Sequence, residues 1–188
     1  MILLAFLNKR ILKGKKIKAV LDFKTKKGNQ ILVKVGLSPV STENAIENIK
    51  AEIPDWDFHK IVDKADKKWN TELSKIVVDA DTKKVFYTSL YHTMIDPRIY
   101  TDVDGRYIGG DKKVHEQDGT FTKRTIFSGW DVFRSQMPLQ TIINPQLIDD
   151  LLNSLIVLAE QSGKEYYERW ELLNSYSGCM IGNPALSV

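Results

Sequence analysis

Cysteine is nearly absent from this sequence: Cys179 is the one thiol in 188 residues. A lone thiol excludes an internal disulfide and a cysteine-rich metal site, and it says nothing about compartment. Histidine is scarce as well, and His92 and His115 lie too far apart in sequence to form a helix-borne ligand pair. Long apolar runs are missing. "MILLAFL" (1–7) falls far short of the roughly 20 residues that a membrane-spanning helix requires. Its basic residues follow the apolar run and no small-residue cleavage site comes next, so it lacks the order of a secretion signal and reads as a strand or an appended end. "YIGGD" (107–111) lacks the spacing and the Gly-Lys-Ser/Thr of a phosphate loop, and no nucleophile elbow is present, which leaves Ser-dependent hydrolysis without support. No internal repeat or low-complexity tract occurs.

What is present is the composition of an ordinary soluble globular protein, 43% hydrophobic and 27% charged, long enough for one domain or parts of two. The formal net charge of +3 hides an asymmetry. Ten of the 27 basic residues but only one acid, Asp22, fall within residues 1–40, leaving 17 basic against 23 acidic residues downstream. A basic end could meet phosphates. Here, however, lysines alternate with apolar residues in "KIKAVLDF" (16–23) and "NQILVKVGL" (29–37), the period-two pattern of half-buried strands with lysine on the wet face. The reading is therefore strands within about 17–37, joined by a turn at Gly28-Asn29, and no nucleic-acid partner.

After Pro39 the pattern turns helical. "SPVSTENAIENIKAEI" (38–53) predicts a helix over 42–53 capped by Ser41 or Thr42 and stopped by Pro54. "DWDFHKIVDKADKKWNTELSKI" (55–76) predicts another over 56–75, capped by Asp55 or Asp57. Its stripe of Trp56, Ile61, Ala65, Trp69 and Leu73 marks one face, and His59 falls off it. Helices follow at 83–95, where His92 reads as a satisfied core residue, at 129–138, and at 145–162, where Gly163 suits the C-terminal cap. Between them, residues 98–126 show little helical periodicity and read as a long loop anchored by Tyr100, Tyr107, Phe121 and Phe127. Asp102, Asp104 and Asp111 in that loop superficially suggest calcium, but their spacing is not that of an EF-hand, and Asx-type turns explain them better.

One short stretch resists a plain structural reading. "FSGWDVFRSQMPL" (127–139) sets Trp130 beside Asp131, with Arg134 three residues after the Asp. On a helix Asp131 and Arg134 can form a local ion pair. Equally, Trp130 can stack on the apolar face of a sugar ring while Asp131 and Arg134 hydrogen-bond its hydroxyls, because a pyranose is apolar on its faces and polar around its rim. Chemistry alone leaves the two even.

The series "VKVGLSPVSTENAIENIKAEIPDWDF" (33–58), "FYTSLYHTMIDPRIYTDVDGRYIGGD" (86–111), "FSGWDVFRSQMPLQTIINPQLIDDLLNSLI" (127–156) and "GCMIGNPALSV" (178–188) resembles glycoside hydrolase family 92, the calcium-dependent, inverting exo-α-mannosidases. The likeness runs from about Ala19 to Val188. It implies an α+β chain: the C-terminal end of a β-sandwich (1–40), a helical linker (41–79) and the first helices of an incomplete (α/α)6 barrel (80–188). It also implies that Trp130, Asp131 and Arg134 contact a terminal mannose of a glycan, with α-1,2-linked mannose the expected substrate. The family's catalytic acid, its catalytic base and its principal calcium contacts lie in segments that nothing here resembles. The chain is accordingly expected to be a fragment that binds no calcium and lacks turnover. Uncovered barrel helices predict self-association, and the parent protein is expected in the periplasm or outside the cell. A non-catalytic carbohydrate-binding or structural remnant is the alternative.

Overall fold

A computed structural model describes residues 15, 16, 18, 20, 22–79, 81–164, 166–175, 178, 181 and 182. The stretch at 1–7, which reads as a strand or an appended end, lies outside these residues.

The five helices expected from periodicity are present, with one divided. Helix α1 (Thr42–Glu52) is capped by Ser41, whose hydroxyl oxygen accepts the Asn44 N–H at 3.0 Å. Helix α2 (Phe58–Leu73) is capped by Asp57, which accepts the Lys60 N–H at 3.1 Å. Helix α3 (Lys83–His92) ends three residues short of the expected 95. The helix expected over 129–138 breaks into α4 (Gly129–Val132) and α5 (Gln136–Ile143). Pro138 is the cause: in an unbroken helix it could not donate to the carbonyl of Arg134, and its ring would collide with that carbonyl. Placing Pro138 in the first turn of α5 removes the conflict. Helix α6 (Pro145–Ser162) has its expected bounds, with proline at the start and Gly163 at φ 66° as the left-handed cap.

The strands expected at 17–37 are not formed among the described residues. The turn itself exists, with the Asn29 N–H donating to the Lys26 carbonyl at 3.0 Å, but the arms on either side remain unpaired. A two-stranded ribbon alone is marginal in water, so alternation without a partner strand does not make a sheet. The faces are also opposite to those expected. Lys34 turns inward, donating to the Ile53 carbonyl at 2.7 Å and lying 4.4 Å from the Trp56 ring centroid, while Val33, Val35 and Leu37 are exposed. Gly36 allows this segment to approach α1, since a Cβ there would lie 2.3 Å from the Ala45 carbonyl oxygen.

The loop at 98–126 contains no helix, as expected, and is tied by short antiparallel ladders. Strand β1 (Arg98–Ile99) pairs with β4 (Arg124–Thr125), and β2 (Arg106–Ile108) with β3 (Val114–Glu116). Strand β5 (Phe127–Ser128) then pairs with β6 (Trp170–Glu171). Tyr107 and Phe127 are buried anchors, whereas Tyr100 and Phe121 are half-buried. Helix α1 docks on this loop through Asn48, which donates to Asp102 at 2.8 Å and accepts the Val103 N–H at 2.9 Å.

The core is formed by Phe127, Met137, Ile148, Leu151 and Leu155, with Val132, Leu147, Leu152 and Tyr167 packed against it. Helix α2 contributes no buried residue. Its expected stripe is only half covered, at Ile61, Trp69 and Leu73, while Trp56 and Ala65 are exposed. His92 is exposed rather than in the core, since it lies at the end of α3 where no other element covers it, and His59 is exposed as expected. Among the described residues, no helix is long and apolar enough to cross a membrane.

Candidate functional site

The corner at 127–134 is assembled from its buried end outward. Phe127, 2% exposed, roots strand β5 in the core. Pairing of Ser128 with Trp170 and donation of the Gly129 N–H to the Arg169 carbonyl at 2.8 Å hold the backbone against the segment that follows α6. Gly129 is required by proximity: a Cβ at this position would lie 2.9 Å from the Phe127 ring and 3.1 Å from the Arg169 carbonyl oxygen. The single turn α4 then presents Trp130 half-buried and Asp131 exposed, and Arg134 follows it, also exposed.

Of these three side chains the structure brings Arg134 and Trp130 into contact, while Asp131 is held by another partner. Asp131 accepts a hydrogen bond from the Ser128 hydroxyl and forms no ion pair with Arg134. The Arg134 guanidinium instead lies over the Trp130 ring, 5.7 Å from its centroid, and 5.5 Å from that of Phe133. The Trp130 indole N–H donates to the Ile181 carbonyl at 2.6 Å. Residues 130–134 thus carry an aromatic ring, an exposed carboxylate and an exposed guanidinium on one short segment, the chemical types that can meet a hydroxylated ring. Two grooves on the described surface lie elsewhere. One is lined by Lys83, Lys84, Tyr87, Thr88, Tyr91 and His92, the other includes Gln117, Phe121, Gln146 and Asp150, and neither contains the corner residues.

Behind the corner lies a buried polar cluster that sequence reading did not find. Glu171 is 4% exposed, and its carboxylate accepts from the Thr125 hydroxyl at 2.8 Å, from the Ile126 N–H at 2.7 Å and from the Asn174 N–H. Burial pushes this carboxyl above the usual carboxylate range, against the opposing pull of the Thr125 hydrogen bond. Lys123, fully buried, donates to the Ser154 carbonyl at 2.8 Å, and burial lowers its ammonium to about 8 although Glu171 favours the charged form. Asp150 accepts from Arg124 at 2.9 Å and from the Thr122 N–H at 2.9 Å, joining the loop to α6. Glu168 Oε2, Trp170 Nε1 and Asn174 Oδ1 are buried with no hydrogen-bond partner among the described residues. The only signal for this cluster was the placement of acids among aromatics in "YYERWE" (166–171), which composition reads as a surface.

The loop carboxylates are taken up by protein donors. Asp102 accepts from Ser38 and Asn48, Asp104 from Asn44 at 2.9 Å and Arg106 at 2.7 Å, and Asp111 from the Lys113 N–H at 3.0 Å and His115 at 2.9 Å. The Arg106 hydrogen bond holds the Asp104 carboxyl below its ordinary range, and the Lys113 N–H does the same for Asp111. These are the turn and docking roles expected of short acidic side chains. Among the described residues, no group of three His, Cys, Asp or Glu side chains converges. The loop carboxylates Asp102, Asp104 and Asp111, each taken up by protein donors, thus do not form a site that fits the calcium ion the family resemblance implies.

Comparison with known proteins places the chain in a family. Residues 44–188 match the glycosyl hydrolase family 92 catalytic domain. The chain is 35% identical to the family GH92 α-mannosidase BT3965 from Bacteroides thetaiotaomicron, with a TM-score of 0.76, covering 80% of this chain and 20% of that one. The same enzyme in complex with mannoimidazole matches at 34% identity with equal coverage and TM-score. The family GH92 inverting mannosidase BT2199 from Bacteroides thetaiotaomicron VPI-5482 matches at 30% identity and a TM-score of 0.72, again over 80% of this chain and 20% of that one. This chain therefore spans about a fifth of the length of these solved relatives. No curated protein matches it. A match over most of the chain, joined to a mixed helix-and-strand fold that superimposes on these enzymes, shows that the chain belongs to glycosyl hydrolase family 92.

Proposed function

We propose that the chain supplies mannose contacts to an inverting exo-α-mannosidase of α-1,2 type, which removes terminal mannose from glycans, N-glycans among them. In this reading residues 1–40 close a β-sandwich, 41–79 form the helical linker and 80–188 begin an (α/α)6 barrel. Trp130 is the platform for the apolar face of the sugar. Asp131 accepts from its hydroxyls and Arg134 donates to their oxygens. One observation carries the assignment: Asp131 and Arg134 are both exposed and not ion-paired with each other, so neither charge is neutralised by the other when a neutral polyol approaches. The mannoimidazole complex of a 34% identical relative supports the class of ligand.

Inversion requires an acid to protonate the leaving oxygen and a carboxylate to activate water, about 6.5–9.5 Å apart. Within residues 127–134 Asp131 is the one carboxylate, and Glu171 behind it is buried and engaged by Thr125, Ile126 and Asn174. Acid, base and calcium ligands are thus assigned to other parts of a full-length enzyme in the periplasm or outside the cell, and the corner to binding and orientation. Titration of the chain with methyl α-mannoside tests this. Saturable binding that is lost in Asp131→Ala supports the reading, and equal affinity of the wild-type chain and that variant overturns it.

A further inference from the structure

Ile126 occupies left-handed backbone, φ 68°, immediately before strand β5. A β-branched side chain in that region is an outlier, and such conformations persist only where the surroundings over-determine them. The segment facing it is also left-handed, with Leu173 at φ 50° and Asn174 at φ 57°. One side chain joins the two. The Glu171 carboxylate accepts the Ile126 N–H at 2.7 Å and the Asn174 N–H, while Thr125, which donates to Glu171 at 2.8 Å, accepts the Leu173 N–H at 2.8 Å. A buried apolar residue could fill this volume without the desolvation penalty of a carboxylate, but it could not accept these donors. From Ile126 the path to the corner is continuous. Ser128 pairs with Trp170, the Gly129 N–H reaches the Arg169 carbonyl, and the Ser128 hydroxyl donates to Asp131.

We propose that Glu171 is a positioning residue of the mannose site, holding the left-handed Ile126 turn and through it the placement of Trp130 and Asp131. This rests on the reading of the corner as a sugar contact, but its test does not depend on that reading. In amide and indole nitrogen–proton spectra of the 188-residue chain, Glu171→Gln is expected to shift the Trp130 indole and Asp131 amide signals while those of Leu151 and Leu155 in α6 stay in place. Glycine adopts positive φ without strain, so adding Ile126→Gly to Glu171→Gln is expected to return the Trp130 and Asp131 signals toward their native positions. If Glu171→Gln alone fails to fold, the double variant is expected to fold. Unmoved Trp130 and Asp131 signals in folded Glu171→Gln, or a double variant that unfolds or fails to restore them, would overturn the proposal. Affinity for methyl α-mannoside is expected to follow, falling about tenfold in Glu171→Gln and recovering in the double variant. A wild-type chain that does not bind the mannoside rejects the functional reading, and the spectra still decide the role of Glu171.

Discussion

Asp131 and Arg134 stand three residues apart and do not form an ion pair: the carboxylate takes the Ser128 hydroxyl, and the guanidinium lies 5.7 Å from the centroid of Trp130. The break between α4 and α5 produces this separation, because Arg134 falls in the gap between Val132 and Gln136 rather than one turn along a continuous helix. The break at Pro138 thus accompanies the loss of the local ion pair. An unbroken helix would favour the i, i+3 pair.

Asp131 is exposed, so its removal should be felt by a ligand and not by the fold. Asp131→Ala is expected to weaken methyl α-mannoside binding by about 1.5–3 kcal/mol, the value of a hydrogen bond to a charged group. Stability should change by no more than about 0.5 kcal/mol, as for a surface substitution. Calorimetric titration and urea denaturation of the same variant separate the two quantities.

Gly129→Ala should act in the opposite way. The added methyl group would meet the Phe127 ring at 2.9 Å and the Arg169 carbonyl oxygen at 3.1 Å, both inside the packed corner. Overpacking of this kind is expected to destabilise the chain by about 1–3 kcal/mol, read from the urea midpoint.

Lys123 gives the chain a pH dependence of definite sign. Its ammonium titrates near 8 in the fold against 10.5 in the unfolded chain, so between these values the unfolded state binds more protons. Stability should therefore rise with pH from about 8 toward 10, by an amount on the order of a few kcal/mol, and be indifferent to this group below 8. Tyr100 opposes the trend only at higher pH, since burial raises its phenol above 10.0 and the stability linked to that shift is lost as the folded phenol ionises. Urea midpoints across pH 7–10 should rise for the wild-type chain and stay flat for Lys123→Met.

The chain alone is expected to release no aryl alcohol from an aryl α-mannoside, with or without calcium. General acid and general base assistance are each worth about 10²–10⁴-fold, and the corner supplies no carboxylate pair to give them. An aryl leaving group needs the least protonation, so this substrate is the most sensitive probe. Calcium-dependent release abolished by changing Asp102, Asp104 or Asp111 would place the chemistry in the loop instead.

Sequence periodicity was sufficient where local interactions decide the outcome. Helix α6 lies between Pro145 and Gly163, and α1 and α2 begin after Ser41 and Asp57, because caps act within one turn. Periodicity failed where the outcome depends on distant partners. Alternation at 29–37 is present, but with Lys34 inward and Val33 and Val35 outward, since a period of two does not state which face finds a neighbour. For Trp130, Asp131 and Arg134 chemistry alone left an ion pair and a sugar contact even; the structure shows no ion pair between Asp131 and Arg134. Glu171 and Lys123 were not legible, because a buried charge becomes visible only when the strands that enclose it are placed.

The hydrogen bond from the Trp130 indole to the Ile181 carbonyl has a stereochemical consequence. With the N–H committed and Arg134 over the ring, the indole has no polar atom left to offer a ligand. If a sugar rests on this ring, as proposed, it would be sorted by which of its C–H bonds point at the indole. Inverting one carbon so that a hydroxyl turns toward the indole removes the contact, while deleting a hydroxyl from the opposite side leaves it intact. Trp130 would thus distinguish epimers by the shape of their bare side, without forming a hydrogen bond to any of them.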